Sequence, residues 1–129
     1  MAAKITRTNP ATVRAPTGYT HGVTIEGAER RVIISGQVGI TPDGTIPETG
    51  EAQIAQALAN LKAVLDAHGL TTGNVVKTTV FLTDRALLGA YRTARAAMFS
   101  GEVPASTLLF VAGLADPRFV VEVEAEAVA

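Results

Sequence analysis

The chain has 129 residues, 47% of them apolar and 18% charged, which excludes intrinsic disorder and fits one ordinary domain over residues 1–129. Lys and Arg number 11 against 12 Asp and Glu, a net charge of −1, so there is no cation excess for a phosphate backbone; 2 Tyr, 4 Phe and no Trp leave few surfaces for stacking bases. The absence of Cys excludes disulfides, thiolate nucleophiles and Cys-ligated zinc, and 2 His are thin for a metal site.

No nucleic acid, metal or membrane partner is therefore expected. The opening Met1-Ala2-Ala3-Lys4-Ile5-Thr6-Arg7 has no apolar leader core, and nowhere do 18 apolar residues run together, so a cytoplasmic protein is expected.

Residues 1–18, with Pro10, Pro16 and Gly18, read as an irregular lead-in. Tyr19 to Ile25 reads as a strand closed by a hairpin turn at Glu26-Gly27-Ala28-Glu29, and Arg31 to Val38 as a second, β-branched strand. Pro42 to Gly50 forms a loop. Ile54, Leu58, Leu61, Leu65 and His68 then recur at helical spacing, with Thr49 placed to cap the N-terminus and Gly69 to stop the helix. Asn74 to Thr83 is a third strand. Asp84 can cap a second helix with the stripe Leu87, Tyr91, Ala94 and Met98, which Gly101 to Pro104 ends. Ser106 to Ala112 and Phe119 to Val128 complete the strands.

The order β-β-α-β-α-β-β predicts an α+β fold in which one mixed sheet carries both helices on one face. Its other face is also apolar in the central strands: Ile33 opposes Val32 and Ile34, and Leu109 opposes Leu108 and Phe110. A monomer would expose that patch, so a homo-oligomer packed through sheet faces is expected.

Four residues are weighed as candidates for chemistry from the pattern alone: Glu122, Tyr19, Ser35 and Arg92. In the last strand Glu122, Glu124 and Glu126 share a face opposite Val121, Val123, Ala125 and Ala127. Glu124 and Glu126 read as a solvated face. Glu122, nearest the sheet's middle, would be enclosed by oligomer packing and suited to handling protons. Tyr19 and His21, two apart, would share a strand face. Ser35, before Gly36 at a strand end, can hold a small anion, although no nucleophile elbow surrounds it. Arg92 and Arg95 border the apolar stripe of the second helix, where long cationic side chains ordinarily snorkel to solvent. Ser106 is by pattern alone an ordinary hydroxyl at the start of a strand.

Together, Gly18-Tyr19, Ile34-Ser35-Gly36-Gln37, Asn60-Leu61-Lys62-Ala63-Val64-Leu65, Val75-Val76-Lys77-Thr78-Thr79-Val80-Phe81-Leu82-Thr83-Asp84, Pro104-Ala105 and Val121-Glu122-Val123-Glu124-Ala125 resemble the RidA/YjgF family of reactive-intermediate deaminases, from about Pro16 to Val128. The resemblance implies a chorismate-mutase-like fold and a homotrimer with a barrel core. It also implies small-molecule pockets at the subunit interfaces, and hydrolysis of imines and enamines without a cofactor. On it, Tyr19 matches the pocket tyrosine, Ser35 the serine of the Ser-Gly-Gln segment and Glu122 the glutamate beside the attacking water.

Deaminating members read Pro-Ala-Arg-Ser-Cys or Pro-Ala-Arg-Ser-Thr where this chain reads Pro104-Ala105-Ser106-Thr107-Leu108. Ser106 thus stands in the place of the arginine that grips the substrate carboxylate, and Arg92 near that of a pocket asparagine. A charge-assisted bond of that kind contributes about 1.5–3 kcal/mol, more than a serine hydroxyl can. The resemblance therefore predicts an altered substrate for a water-adding enzyme or, as the alternative, a trimer that binds a metabolite without turning it over. A ribonuclease or translation inhibitor gets little support from this composition.

Overall fold

The computed structural model describes residues 3–129. Its larger sheet has four strands in the order β3 (Arg31–Val38), β6 (Val121–Val128), β4 (Val75–Leu82), β5 (Ala105–Phe110). β4 and β5 run parallel, and the other pairs are antiparallel. The helices α1 (Gly50–Ala67) and α2 (Leu88–Met98) lie on one face, joined to the sheet in one apolar core.

That core follows from the strand pattern. Val32 and Ile34, Val80 and Leu82, and Val121 and Val123 point toward the helices and meet Ile54, Leu58, Leu61 and Leu65 of α1 and Tyr91 of α2. The helix ends are set locally. Thr49 Oγ1 accepts from the Ala52 amide at 3.2 Å. At the other end His68 is the C-cap, and Gly69 takes φ +68°; the Gly69 and Leu70 amides reach back to the carbonyls of Asp66 and Leu65, which stops the helix. His68 is thus an exposed cap residue, its Nδ1 2.8 Å from the Val64 carbonyl, and not a member of the buried stripe. Asp84 caps as expected, but it first starts a short 3₁₀ turn, Arg85–Leu87, that leads into α2.

Two expectations are corrected. The lead-in contains a strand, β1 (Lys4–Thr8), paired antiparallel with β2 (Gly22–Glu26) as a separate two-stranded sheet. Ile5, Thr6 and Thr8 favour extended backbone, but their partner lies some twenty residues on, outside any local window. The turn at Glu26 to Glu29 therefore closes no hairpin: β2 pairs with β1, and β3 pairs with β6. Tyr19 and His21 precede β2 rather than lying in it, although their rings still meet edge to face at 5.3 Å. The Thr20 amide and hydroxyl donate to the carbonyls of Pro104 and Val103, which ties this segment to the entry of β5.

The face away from the helices carries Ile33, Lys77, Thr79, Phe81, Thr107, Leu109, Glu122, Glu124 and Glu126 by strand alternation. Ile33 is 62% and Leu109 46% exposed, but they stand on the edge strands β3 and β5. The central strands β6 and β4 present Glu122, Glu124, Glu126, Lys77 and Thr79 there, so the expected apolar second face is instead mixed, with apolar residues at its two edges.

Candidate functional site

The expected site residues fall into two groups on this chain. Tyr19, Arg92 and Ser106 line one cavity of about 370 Å³ together with Thr17, Leu88, Arg95, Leu108 and Phe110. It lies at the β5 edge of the large sheet, roofed by the 17–19 segment and walled by α2. Ser35 and Glu122 lie on β3 and β6, with β4 between them and β5.

The first group is built by two tethers. The Thr20 hydrogen bonds hold Tyr19 over the start of β5, and the parallel β4–β5 register sets Ser106 opposite Thr78. There the buried Thr78 hydroxyl donates to Ser106 Oγ at 2.8 Å, leaving the Ser106 proton free to donate into the cavity. Arg92 is exposed on α2, and Arg95 follows one turn later on the same face. Arg95 Nη2 donates to the Thr17 carbonyl at 3.3 Å, and the guanidinium lies 5.9 Å over the Tyr91 ring. Burial pushes the Tyr91 hydroxyl up to about 12, with the Arg95 charge acting in the opposite sense. Arg85 covers the Phe110 ring at 4.4 Å. Arg95, expected as a snorkelling surface cation, is instead half-buried in the cavity wall; only the packing of the Gly18 turn onto α2 reveals this.

The second group rests on a β-bulge. Ile34 pairs with Ala125 and Gln37 with Val123, so β3 has one residue more than β6 between these pairs, at Ser35-Gly36. An added Cβ at Gly36 would stand 2.7 Å from Glu122 Cδ and closer still to Oε2. The missing side chain is therefore the space the carboxylate occupies. Glu122 is half-buried and Ser35 exposed, with the Ser35 carbonyl accepting from Gln37 Nε2 at 3.0 Å. Asn60 of α1 donates to the carbonyls of Val38 and Ile40, fixing the strand end just beyond the bulge. Among the described residues no cluster of three or more His, Cys, Asp or Glu is placed to hold a metal, and no helix is long and apolar enough to cross a membrane.

Comparison with known proteins agrees with this fold. The family described as Endoribonuclease L-PSP matches residues 9–129. The chain is 39% identical to the 2-iminobutanoate/2-iminopropanoate deaminase of Salmonella typhimurium, over 92% of this chain and 94% of that protein. It is 38% identical to the mouse protein of the same name, over 92% and 88%. Among solved structures, YyfB of Yersinia pestis, a Rid family protein of unknown function, superposes with a TM-score of 0.88 at 32% identity over 100% of both chains. Escherichia coli TdcF with bound serine superposes with a TM-score of 0.73 at 31% identity over 91% of each. With this coverage and this fold, the chain belongs to the RidA/YjgF family, the family described as Endoribonuclease L-PSP.

Proposed function

We propose that this protein is a homotrimeric imine deaminase of altered substrate preference. Its site would be completed where the Tyr19–Ser106 cavity of one subunit meets the Ser35–Glu122 bulge of the next. The observation that carries the reading is the separation itself: the carboxylate able to handle water and the cavity able to hold a small molecule lie on different strands, and the uncovered face between them exposes Ile33 and Leu109. Packing three such faces around an axis would cover Ile33 and Leu109 and bring the two groups together. The relatives named as 2-iminobutanoate/2-iminopropanoate deaminases support the reaction class, hydrolysis of a small imine.

The chemistry needs few groups. Glu122 accepts a proton from water as the oxygen bonds to the imine carbon and passes it to the nitrogen, which takes the electron pair of the broken C=N π bond, giving a neutral carbinolamine. Glu122 then accepts the carbinolamine hydroxyl proton as the carbonyl re-forms and delivers it to the departing nitrogen, so that the C–N bond breaks and ammonia leaves. Tyr19 and the Ser106 hydroxyl orient the substrate, and Ser35 borders the water from the bulge. None of these steps asks for a redox change.

The test is ammonia release from freshly generated 2-iminopropionate and 2-iminobutyrate, with Glu122→Gln as control. Acceleration by the wild type and its loss in the variant support the reading. If the folded wild type releases no ammonia from any imine tried but still binds the corresponding 2-oxo acids, pyruvate and 2-oxobutanoate, the metabolite-binding alternative takes its place. That alternative draws on one observation, the serine at position 106. Light scattering checks the assembly: three chains of 13.3 kDa give about 40 kDa, and a 13 kDa monomer would refute the shared site.

A further inference from the structure

We infer that Arg95 is the carboxylate anchor of this site, and that the cavity takes 2-imino acids with a branched or aromatic apolar side chain. The inference rests on the deaminase-type reading for the position of the reacting carbon.

The guanidinium of Arg95 is held yet under-supplied with acceptors. It is clamped between the Tyr91 ring and the Gly18 turn, where an added Cβ would stand 2.7 Å from Arg95 Cζ; only glycine at 18, at φ +75°, leaves it room. Its hydrogen bond is a long one, 3.3 Å to the Thr17 carbonyl, and its Nε is buried with no partner at all. Buried guanidinium donors are ordinarily satisfied, so an orphan in a cavity wall points to an acceptor that arrives with a ligand. None of the ion pairs among the described residues involves Arg85, Arg92 or Arg95, and no acidic residue lines the cavity. The cavity is therefore positive at its α2 wall in a chain whose net charge is −1. A carboxylate there meets a fixed cation, and Arg92, one turn away and exposed, adds attraction at the mouth.

The rest of the lining chooses the other end of the ligand. Leu88, Leu108 and Phe110 form an apolar wall, and Arg85, which covers the Phe110 ring, is not among the lining residues. A methyl or ethyl side chain leaves that wall wet, whereas a branched or aromatic one covers it.

Keto acids have the carboxylate and side chain of imino acids and are stable, so binding can be read without turnover. The test titrates the intact protein by calorimetry with 4-methyl-2-oxopentanoate, 2-oxobutanoate, 2-oxoglutarate and the uncharged 4-methylpentanamide. The expected order puts 4-methyl-2-oxopentanoate at least about tenfold tighter than 2-oxobutanoate, at roughly fourfold per added buried carbon. The amide should bind weakest, and Arg95→Met should lose roughly ten- to a hundredfold for the keto acids. Equal binding of acid and amide by the wild type overturns the anchor even if Arg95→Met does not fold. Tightest binding of 2-oxobutanoate or 2-oxoglutarate overturns the apolar preference. Keto acids bound as stated with no ammonia released from any imine refute the enzyme reading and leave the anchor standing. Turnover indifferent to Arg95 refutes the anchor and leaves the enzyme reading standing.

Discussion

Replacing Gly36 by alanine moves the Glu122 carboxylate and little else. The new methyl would stand 2.7 Å from Cδ and 2.9 Å from Cγ, whereas ordinary contact begins at 3.4 Å, so Cδ must retreat by at least about 0.7 Å and Oε2 by more. The colliding atoms are the far end of a flexible side chain, and Gly36 does not use a positive φ, so the backbone accepts alanine without strain. Stability should stay within about 1 kcal/mol, with the loss of glycine's unfolded-state freedom partly offsetting the displacement. Catalysis is far less tolerant: a misplacement of about 1 Å can cost on the order of a hundredfold. Gly36→Ala should therefore lower kcat for imine hydrolysis about ten- to a hundredfold, with a melting temperature moved by no more than about 5 °C and unchanged keto-acid affinity. Initial rates of ammonia release beside a thermal melt measure both. A folded variant with full kcat would refute the reasoning that the bulge makes space for a working carboxylate.

Three further outcomes follow from the packing. Tyr91 is 1% exposed and its hydroxyl is raised from 10.0 to about 12, so its burial favours the folded state fully below pH 10, and this stabilisation is lost as pH rises through about 12. Tyr91→Phe should remove that alkaline loss, on the order of 2 kcal/mol, in denaturant melts between about pH 9 and 12. Asp116 is held at about 2 by hydrogen bonds from the Arg118 side chain and amide, a contribution present above 3.8 and lost as pH falls through about 2. Arg118→Ala should bring its carboxyl titration, followed by NMR, back toward 3.8. The buried Gln53 donates to the Pro47 and Arg118 carbonyls and accepts from the Val120 amide, so Gln53→Leu strands three groups. It should cost about 2–4 kcal/mol in chemical denaturation.

How much the sequence discloses depends on the range of the interactions. The α1 stripe, the Thr49 cap and the Gly69 stop depend on neighbours within a few residues, and all three are legible. So is the alternation of β6, which puts Glu122 opposite the core. β1 is hidden because its partner is β2 and not a neighbouring turn, and the 26–29 turn misleads because its residues suit a hairpin that the strand order forbids. Arg95 is hidden for a related reason: its spacing on α2 is that of a surface cation, and only the Gly18 turn, nearly eighty residues earlier in the chain, converts it into a wall of the cavity. The pairing of Ser106 with Thr78 likewise depends on the β4–β5 register rather than on any motif.

The claim of a site shared between subunits is tested most directly by mixing two inactive proteins. Glu122→Gln lacks the proton-handling group but keeps the cavity; Tyr19→Ala/Ser106→Ala lacks the two groups that orient the substrate but keeps the carboxylate. After the two are unfolded together and refolded in equal amounts, random assembly should give about one site in four an intact half from each chain, and about a quarter of wild-type ammonia release should return. A mixture as inactive as its parents, in trimers shown to have exchanged subunits, would contradict the shared site.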